Sequence, residues 1–237
     1  MNRNTKIFIA AAALIIWICL AAILFLWKTG AKNYLSCYQV LYDAYSSDSI
    51  DMDVSVSVDS SLIDVYLDFN ALKFPYRDST ATKFTIYDKM GRVEVYQIEE
   101  ETFLSTGEKY TISDIPKDFN IFLKRCSQLY NSGYTISREQ NGQSTRYQIE
   151  APDDEVAALI KSYDGRLGEI DIQYSNCMLI ITIEGGELRD IQLYGTASYT
   201  LPTGRKFNAY MKVKADINAL GDEVEPYTVP EAFESFD

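Results

Sequence analysis

The sequence predicts an α+β protein in which an N-terminal transmembrane helix precedes one curved antiparallel sheet, a half-barrel of about ten strands packed on two to three helices. Three observations predict this. An uncharged apolar run covers Ile7–Trp27. Apolar and polar residues alternate strictly in many short segments, as in Ile50–Asp59, which is typical of strands with one buried face. Apolar residues recur at helical spacing in three other segments.

The run Ile7–Trp27 contains no charge, proline or glycine. A helix of about 21 residues spans about 31 Å, close to the hydrocarbon thickness of a bilayer. Arg3 and Lys6 precede the run, which predicts a cytoplasmic N-terminus and an extracytoplasmic C-terminal domain. The alternative is a cleaved signal peptide, but the run exceeds the usual apolar core of about 7–15 residues and no small-x-small cleavage site follows before Lys28. We therefore expect an uncleaved signal anchor that makes this a single-pass protein of the cell membrane.

Two regions follow from this interpretation. Residues 1–30 form a cytoplasmic stub and the anchor, and residues 31–237 form one extracytoplasmic α+β domain without an internal repeat or a flexible linker. The final stretch, Gly221–Asp237, is rich in proline and acidic residues and is expected to be an extended edge or a loose tail.

The charge of the outer domain excludes one class of partner. All 34 acidic residues but only 19 of the 22 basic ones follow Gly30, so the formal charge of this part is −15. Nucleic acid is an unsuitable partner because contacts to phosphates need a basic surface. The acidity itself is explained by solubility.

The predicted elements follow the chain in a simple order. Helices are expected at about 32–47, 117–131 and 153–163 from their apolar spacing and from Pro152 and the acidic first turn of the third. Asn141-Gly142 is the strongest hairpin signal. Strands are expected at about 50–59, 62–72, 82–88, 92–99, 133–139, 144–150, 169–175, 177–184, 188–200 and 206–217, with a short hairpin around Thr106-Gly107.

No reaction is indicated by the residue types. The chain has no histidine, which removes the commonest general base, the Ser-His-Asp and Cys-His systems and most zinc sites. No Walker or dinucleotide-binding glycine pattern occurs. The outer cysteines Cys37, Cys126 and Cys177 fit no metal pattern and are expected to be small buried hydrophobic residues, although one disulfide among them stays open. We therefore predict no catalytic residue, metal site or cofactor.

The order of elements resembles a known superfamily. The run Ile181–Ile191, ITIEGGELRDI, is similar to the strand–turn–Leu–x–x–Ile hairpin near the end of many LolA/LppX-like periplasmic lipoproteins. Phe103-Leu104-Ser105 through Lys109-Tyr110 resembles their short mid-sheet hairpin. Tyr227-Thr228-Val229-Pro230-Glu231 is similar to their terminal segment. The resemblance covers about 34–231 and implies a half-barrel that holds acyl chains or other amphiphiles between its concave sheet and its helices.

One feature departs from that superfamily. Its members in single-membrane bacteria are often lipoproteins, but Cys19 follows Ile16-Trp17-Ile18, where a lipobox needs small residues. A domain held by a signal anchor cannot travel as a soluble carrier does.

The resemblance and the alternation together predict an apolar ligand-binding cavity. Its lining is expected to include eight residues of the first two strands and the second helix: Val54, Val56, Val65, Leu67, Phe69, Phe119, Phe122 and Leu123. The first hypothesis is thus a membrane-tethered envelope domain that binds a lipid or other apolar ligand. The second is an interaction or sensor module that recruits an envelope protein and predicts an exposed apolar patch instead. The third is an enzyme acting on wall polymer through paired carboxylates.

Overall fold

A computed structural model describes residues 31–61, 64–88, 91–98, 101–106, 119–132, 136–163, 172–200, 203–230 and 233. For 31–36, 88, 119–122, 131–132, 136 and 161–163 the description is of the backbone alone. The chain divides into two compact units, Met1–Gln39 and Val40–Asp237. The first is described from residue 31, where it is helical, and the second contains the sheet.

The described residues form three helices and ten strands, which confirms the α+β class. The helices are α1 (Ala31–Ser46), α2 (Phe119–Ser132) and α3 (Asp153–Tyr163). The first five strands are β1 (Ile50–Ser60), β2 (Asp64–Tyr76), β3 (Ser79–Asp88), β4 (Gly91–Ile98) and β5 (Glu101–Leu104). The other five are β6 (Ile136–Asn141), β7 (Ser144–Glu150), β8 (Ile172–Glu184), β9 (Glu187–Thr200) and β10 (Lys206–Leu220).

All ten strands belong to one open antiparallel sheet in the order β5-β4-β3-β2-β1-β10-β9-β8-β7-β6. Each half is a meander of strands that are consecutive along the chain, and the two meanders meet where β1 pairs with β10. The architecture fits the predicted half-barrel class. It leaves β5 and β6 as the two edges of the sheet.

The region after residue 169 differs from the prediction of two strands at 169–175 and 177–184. From Ile172 onwards these form one strand, β8, with an irregularity between Ser175 and Met178 in its pairing with β9. Asn176 has a φ of 54°, in the left-handed region that asparagine tolerates better than most residues. The prediction was wrong because a β-bulge interrupts the alternation without ending the strand.

Gly195 of β9 lies beside this bulge. A Cβ atom at this position would be 2.8 Å from Sγ of Cys177 and 3.3 Å from its Cα. Cys177 is almost fully buried, so the space that a side chain at residue 195 would need is already filled by the thiol. The position of Cys177 after the bulge thus favours glycine at residue 195.

The segment after β10 continues as a short 3-10 helix, Gly221–Glu223, and then crosses one face of the first meander. The ring of Tyr227 lies 4.8 Å from that of Phe74, and its hydroxyl is 2.7 Å from that of Tyr96. Phe233 is fully buried. The sequence left an extended edge or a loose tail open for this region, whereas Tyr227, Val229 and Phe233 pack against the sheet.

The predicted anchor Ile7–Trp27 lies outside the described residues, as does most of the hairpin around Thr106-Gly107. Within the part of the chain that the structure describes, no helix has the length and apolar character needed to cross a membrane.

Candidate functional site

The strand register places most of the predicted site residues on one face of the sheet. Val54 pairs with Phe69, and Val56 pairs with Leu67. Val65 pairs with Val58, two residues further along β1. Directly opposed residues in an antiparallel pair point to the same side, so five of the eight predicted residues share what we call the apolar face. The opposite side of the sheet is called the outer face.

Burial changes along the apolar face. On β1, Ile50, Met52 and Val54 are buried, whereas Val56 and Val58 are only half-buried. The same change occurs along β2, where Ala71 and Phe69 are buried. There Leu67 is 39% exposed and Val65 is 45% exposed. The apolar face is therefore covered near the start of β1 and open near its end.

Neighbouring strands extend this open region on both sides. Val213 and Met211 of β10 are half-buried and pair with Val56 and Val58. On the other side, Ile86 of β3 pairs with Phe69 and with Val93 of β4, and Val93 is 42% exposed. We call the resulting surface the open apolar end; it comprises Val56, Val58, Val65, Leu67, Ile86, Val93, Met211 and Val213.

The helical part of the predicted site is placed differently. Leu123 is buried on α2, which contacts α3 and β8. Tyr130 of α2 stacks edge-on against Tyr147 of β7 with ring centroids 6.2 Å apart. β9 and β10 lie between β8 and β1, so Leu123 sits on an element that packs over the second meander. The side chains of Phe119 and Phe122 lie outside the described residues.

Sequence reasoning missed the contributions of β3, β4 and β10. The sequence predicted a strand at about 206–217, which contains Met211 and Val213, but it did not reveal that β10 lies beside β1. Val93 carried no distinguishing signal. Pairing between strands that are far apart in sequence is set by tertiary packing, and alternation alone defines only the face.

The open apolar end can bind a ligand through the burial of apolar surface. The eight side chains that define it are all aliphatic or thioether groups, and they have no proton or charge to exchange near neutral pH. A ligand that covers such a surface gains about 25 cal/mol per Å² of apolar area removed from water. Among the described residues, no group of histidine, cysteine and acidic side chains converges to hold a metal ion.

Cys37, Cys126 and Cys177 are buried, as the sequence predicted. Burial raises the pKa of the Cys126 thiol. It also raises the pKa of Cys177 to about 12, with a further contribution from the nearby carboxylate of Asp153. Because the thiolate is the reactive form, both residues are inert near neutral pH.

This inertness is directly measurable. We expect iodoacetamide to leave Cys126 and Cys177 unmodified in the native chain near neutral pH and to modify both after denaturation, as quantified by peptide mass spectrometry. The exposed variant Ser61→Cys is the matched control and should react in the native chain. Rapid native modification of Cys126 would contradict the burial described above.

Comparison with known proteins gave matches among solved structures alone. No protein-family model matches the sequence, and no curated protein matches it either. Among solved structures the chain is similar to LprF from Mycobacterium bovis and to the lipoprotein LppX from Mycobacterium tuberculosis. Each has 13% identity and a TM-score of 0.45, and the alignments cover 83% of this chain and 96% or 97% of theirs. A LolA superfamily protein from Nitrosomonas europaea has 10% identity and a TM-score of 0.31, with 83% and 97% covered.

These structures include LppX and a LolA superfamily protein, which are of the kind that the sequence motifs resemble. With identities of 13% and below and TM-scores below 0.5, the ligand of this chain has to be inferred from its own residues.

Proposed function

We propose that this protein is a membrane-tethered extracytoplasmic domain that binds a lipid or another apolar ligand at the open apolar end. The observation that carries the proposal is the change in burial along the apolar face. Leu67 and Val65 lie on the same face of β2 as the buried Phe69 and Ala71 but are exposed to solvent. Large apolar side chains left open beside a closed core are typical of surfaces that are covered by a ligand or a partner.

The tether is part of the proposal. Ile7–Trp27 would hold the domain at the outer side of the cell membrane, with the N-terminus in the cytoplasm. A domain fixed there samples the lipids and the membrane proteins around it. It accepts or presents an amphiphile locally instead of carrying it across the envelope.

A second function is favoured by the exposure of the same residues. An interaction module for an envelope protein predicts an apolar surface patch, and the open apolar end is such a patch over β1, β2, β3, β4 and β10. The two functions differ in what covers it: acyl chains in the first, and apolar side chains of a partner in the second.

Photo-crosslinking in cells separates them. Cells that express the full chain are fed a fatty acid carrying a diazirine and an alkyne, and lipid attached to the purified protein is quantified after illumination. Leu67→Asn is nearly isosteric and places an amide in the open apolar end, so an acyl chain would have to desolvate it at a cost of about 1–3 kcal/mol. We expect crosslinking to fall at least about fivefold, since each 1.4 kcal/mol is a factor of ten.

Tyr210→Asn is the matched control. Tyr210 is 49% exposed but lies on the outer face, because its neighbour Met211 is on the apolar face. Its replacement should leave lipid crosslinking unchanged. Absence of lipid crosslinking in the wild-type chain would contradict the first function. A protein adduct that forms in a parallel reaction with a protein–protein crosslinker, and that Leu67→Asn abolishes, would support the second.

A further inference from the structure

The outer face carries a second feature, which is a groove of about 380 Å³ across four neighbouring strands. Its volume is near the lower end of the range of about 300–1,000 Å³ that is usual for small-molecule sites. The outer-face residues that line it are Asp53, Ser55, Tyr66, Asp68, Tyr87, Lys214 and Asp216.

The register explains how these residues meet. Asp68 of β2 pairs with Tyr87 of β3 on one side and with Ser55 of β1 on the other. Ser55 in turn pairs with Lys214 of β10. One row across four strands thus holds an aromatic ring, a carboxylate, a hydroxyl and an ammonium group. Tyr66 begins the adjacent row on β2, diagonal to Tyr87 at a distance of about 7–8 Å between backbones.

The two tyrosines at the groove are unusually exposed. Tyr66 is 69% exposed and Tyr87 is 55% exposed. Interaction with the nearby carboxylate of Asp68, by hydrogen bonding and by charge, raises the pKa of Tyr66. Both tyrosine rings are open to solvent, and exposed aromatic faces are suited to stacking on a ligand.

Neutral amides hold the carboxylate of Asp53 in place. Nδ2 of Asn70 donates to Oδ1 of Asp53 at 3.1 Å and to Oδ1 of Asp51 at 2.7 Å. Nδ2 of Asn218 donates to Oδ2 of Asp53 at 3.0 Å. These bonds orient the carboxylate without neutralising it. Asp216 differs, because Nζ of Lys214 lies 2.7 Å from its Oδ2.

The groove therefore has an excess of negative charge. It is lined by three carboxylates and one ammonium group. The net negative charge repels phosphate or carboxylate ligands and attracts amines. The carboxylates are distributed along the groove instead of converging, and no metal-binding group is found among the described residues. The complementary ligand is extended, offers apolar ring faces to tyrosine, and carries hydroxyl and ammonium groups.

We infer that the outer-face groove binds an oligosaccharide that contains amino sugars with free amino groups. Tyr66 and Tyr87 stack on the C–H faces of sugar rings, and the ring hydroxyls bond to Ser55 and Lys214. The carboxylates of Asp53 and Asp68 receive the ammonium groups. This site uses the side of the sheet opposite the open apolar end, so it does not depend on the proposed function.

Binding to the full chain in detergent tests the inference. The probe is an oligomer of β-1,4-linked glucosamine, and affinity is measured by calorimetry. We expect saturable binding that weakens about tenfold in Tyr66→Ala and in Tyr87→Ala through loss of ring stacking. Binding should also weaken at high salt because exposed charges are screened. Tyr210→Ala, on the same face but outside the lining of the groove, should bind as the wild type does.

Three further measurements decide the inference. The fully N-acetylated oligomer lacks the positive charge and should bind at least about tenfold more weakly; equal binding would overturn the amino-sugar assignment. Spermine offers amines without sugar rings, and competition by spermine at equal concentration would overturn the assignment to a sugar. Wild-type affinity in Tyr66→Ala and Tyr87→Ala would remove the groove as the site. Leu67→Asn should leave glucosamine binding intact, which keeps this result separate from that of the lipid experiment.

Discussion

Phe233→Ala is expected to lower the free energy of unfolding by about 3 kcal/mol, within the range for removing a buried phenylalanine. The ring of Phe233 is fully buried, 4.9 Å from the ring of Tyr96 and 5.9 Å from that of Phe103 between centroids. Its backbone oxygen also accepts a hydrogen bond of 2.9 Å from the hydroxyl of Tyr76. Urea unfolding of the purified chain in mild detergent, followed by circular dichroism, measures the loss.

The same variant should expose a local effect. β5 is an edge strand of four residues, and Phe103 on it packs against Phe233. Hydrogen exchange should therefore accelerate first in β4 and β5 and only later in β8 and β9. Tyr210→Ala removes an aromatic ring of similar size that is half-exposed, and it should cost less than about 1 kcal/mol. A loss of less than about 1 kcal/mol in Phe233→Ala would mean that the C-terminal segment contributes little to the fold.

Gly195→Ala is expected to destabilise the domain by about 1–3 kcal/mol, the usual cost of overpacking a core. The added Cβ would lie 2.8 Å from Sγ of Cys177 and 3.4 Å from the carbonyl oxygen of Ser175. The thiol is buried and short, so the strand itself has to move to make room. The same urea titration measures this loss.

A double variant tests the cause. Cys177→Ala removes the nearest atom, so Gly195→Ala should cost clearly less in that background than in the wild type. The recovery is incomplete, because the Cα of Cys177 at 3.3 Å and the oxygen of Ser175 still crowd the new Cβ. Additive effects of the two substitutions would show that the crowding lies elsewhere.

Much of the local structure could be predicted from the sequence, because periodicity and turn chemistry act over short distances. The helix expected at 117–131 is observed as α2, and the Asn141-Gly142 turn joins β6 to β7 with φ of 62° at the glycine. The bulge at Asn176 was missed because one inserted residue resembles a strand end. The packing of Tyr227 and Phe233 was missed because apolar residues in this segment recur neither at helical spacing nor at every second position.

The candidate site could likewise be predicted only in its local features. Alternation placed Val56, Val65 and Leu67 on one face, and the register confirms that they share it. Alternation could not indicate that Met211 and Val213 complete the surface, since β1 and β10 are joined by tertiary contacts alone. Alternation also does not indicate how much of the apolar face is buried and how much is exposed to solvent. The outer-face groove was overlooked because its carboxylates and tyrosines looked like an ordinary solvated face.

The meeting of β1 and β10 also governs how the chain has to fold. Ile50 pairs with Leu220, and Ser60 pairs with Ala209. The pairing of the two meanders therefore joins strands that lie near opposite ends of the domain's sequence. Pairing over such separations is slow, because the intervening loop must be closed before the contact forms. During synthesis β1 emerges early and then presents an unpaired edge until β10 follows. Such an edge is prone to pair with other chains. We therefore expect the risk of aggregation to be greatest before β10 is made, when most of the sequence is already outside the ribosome.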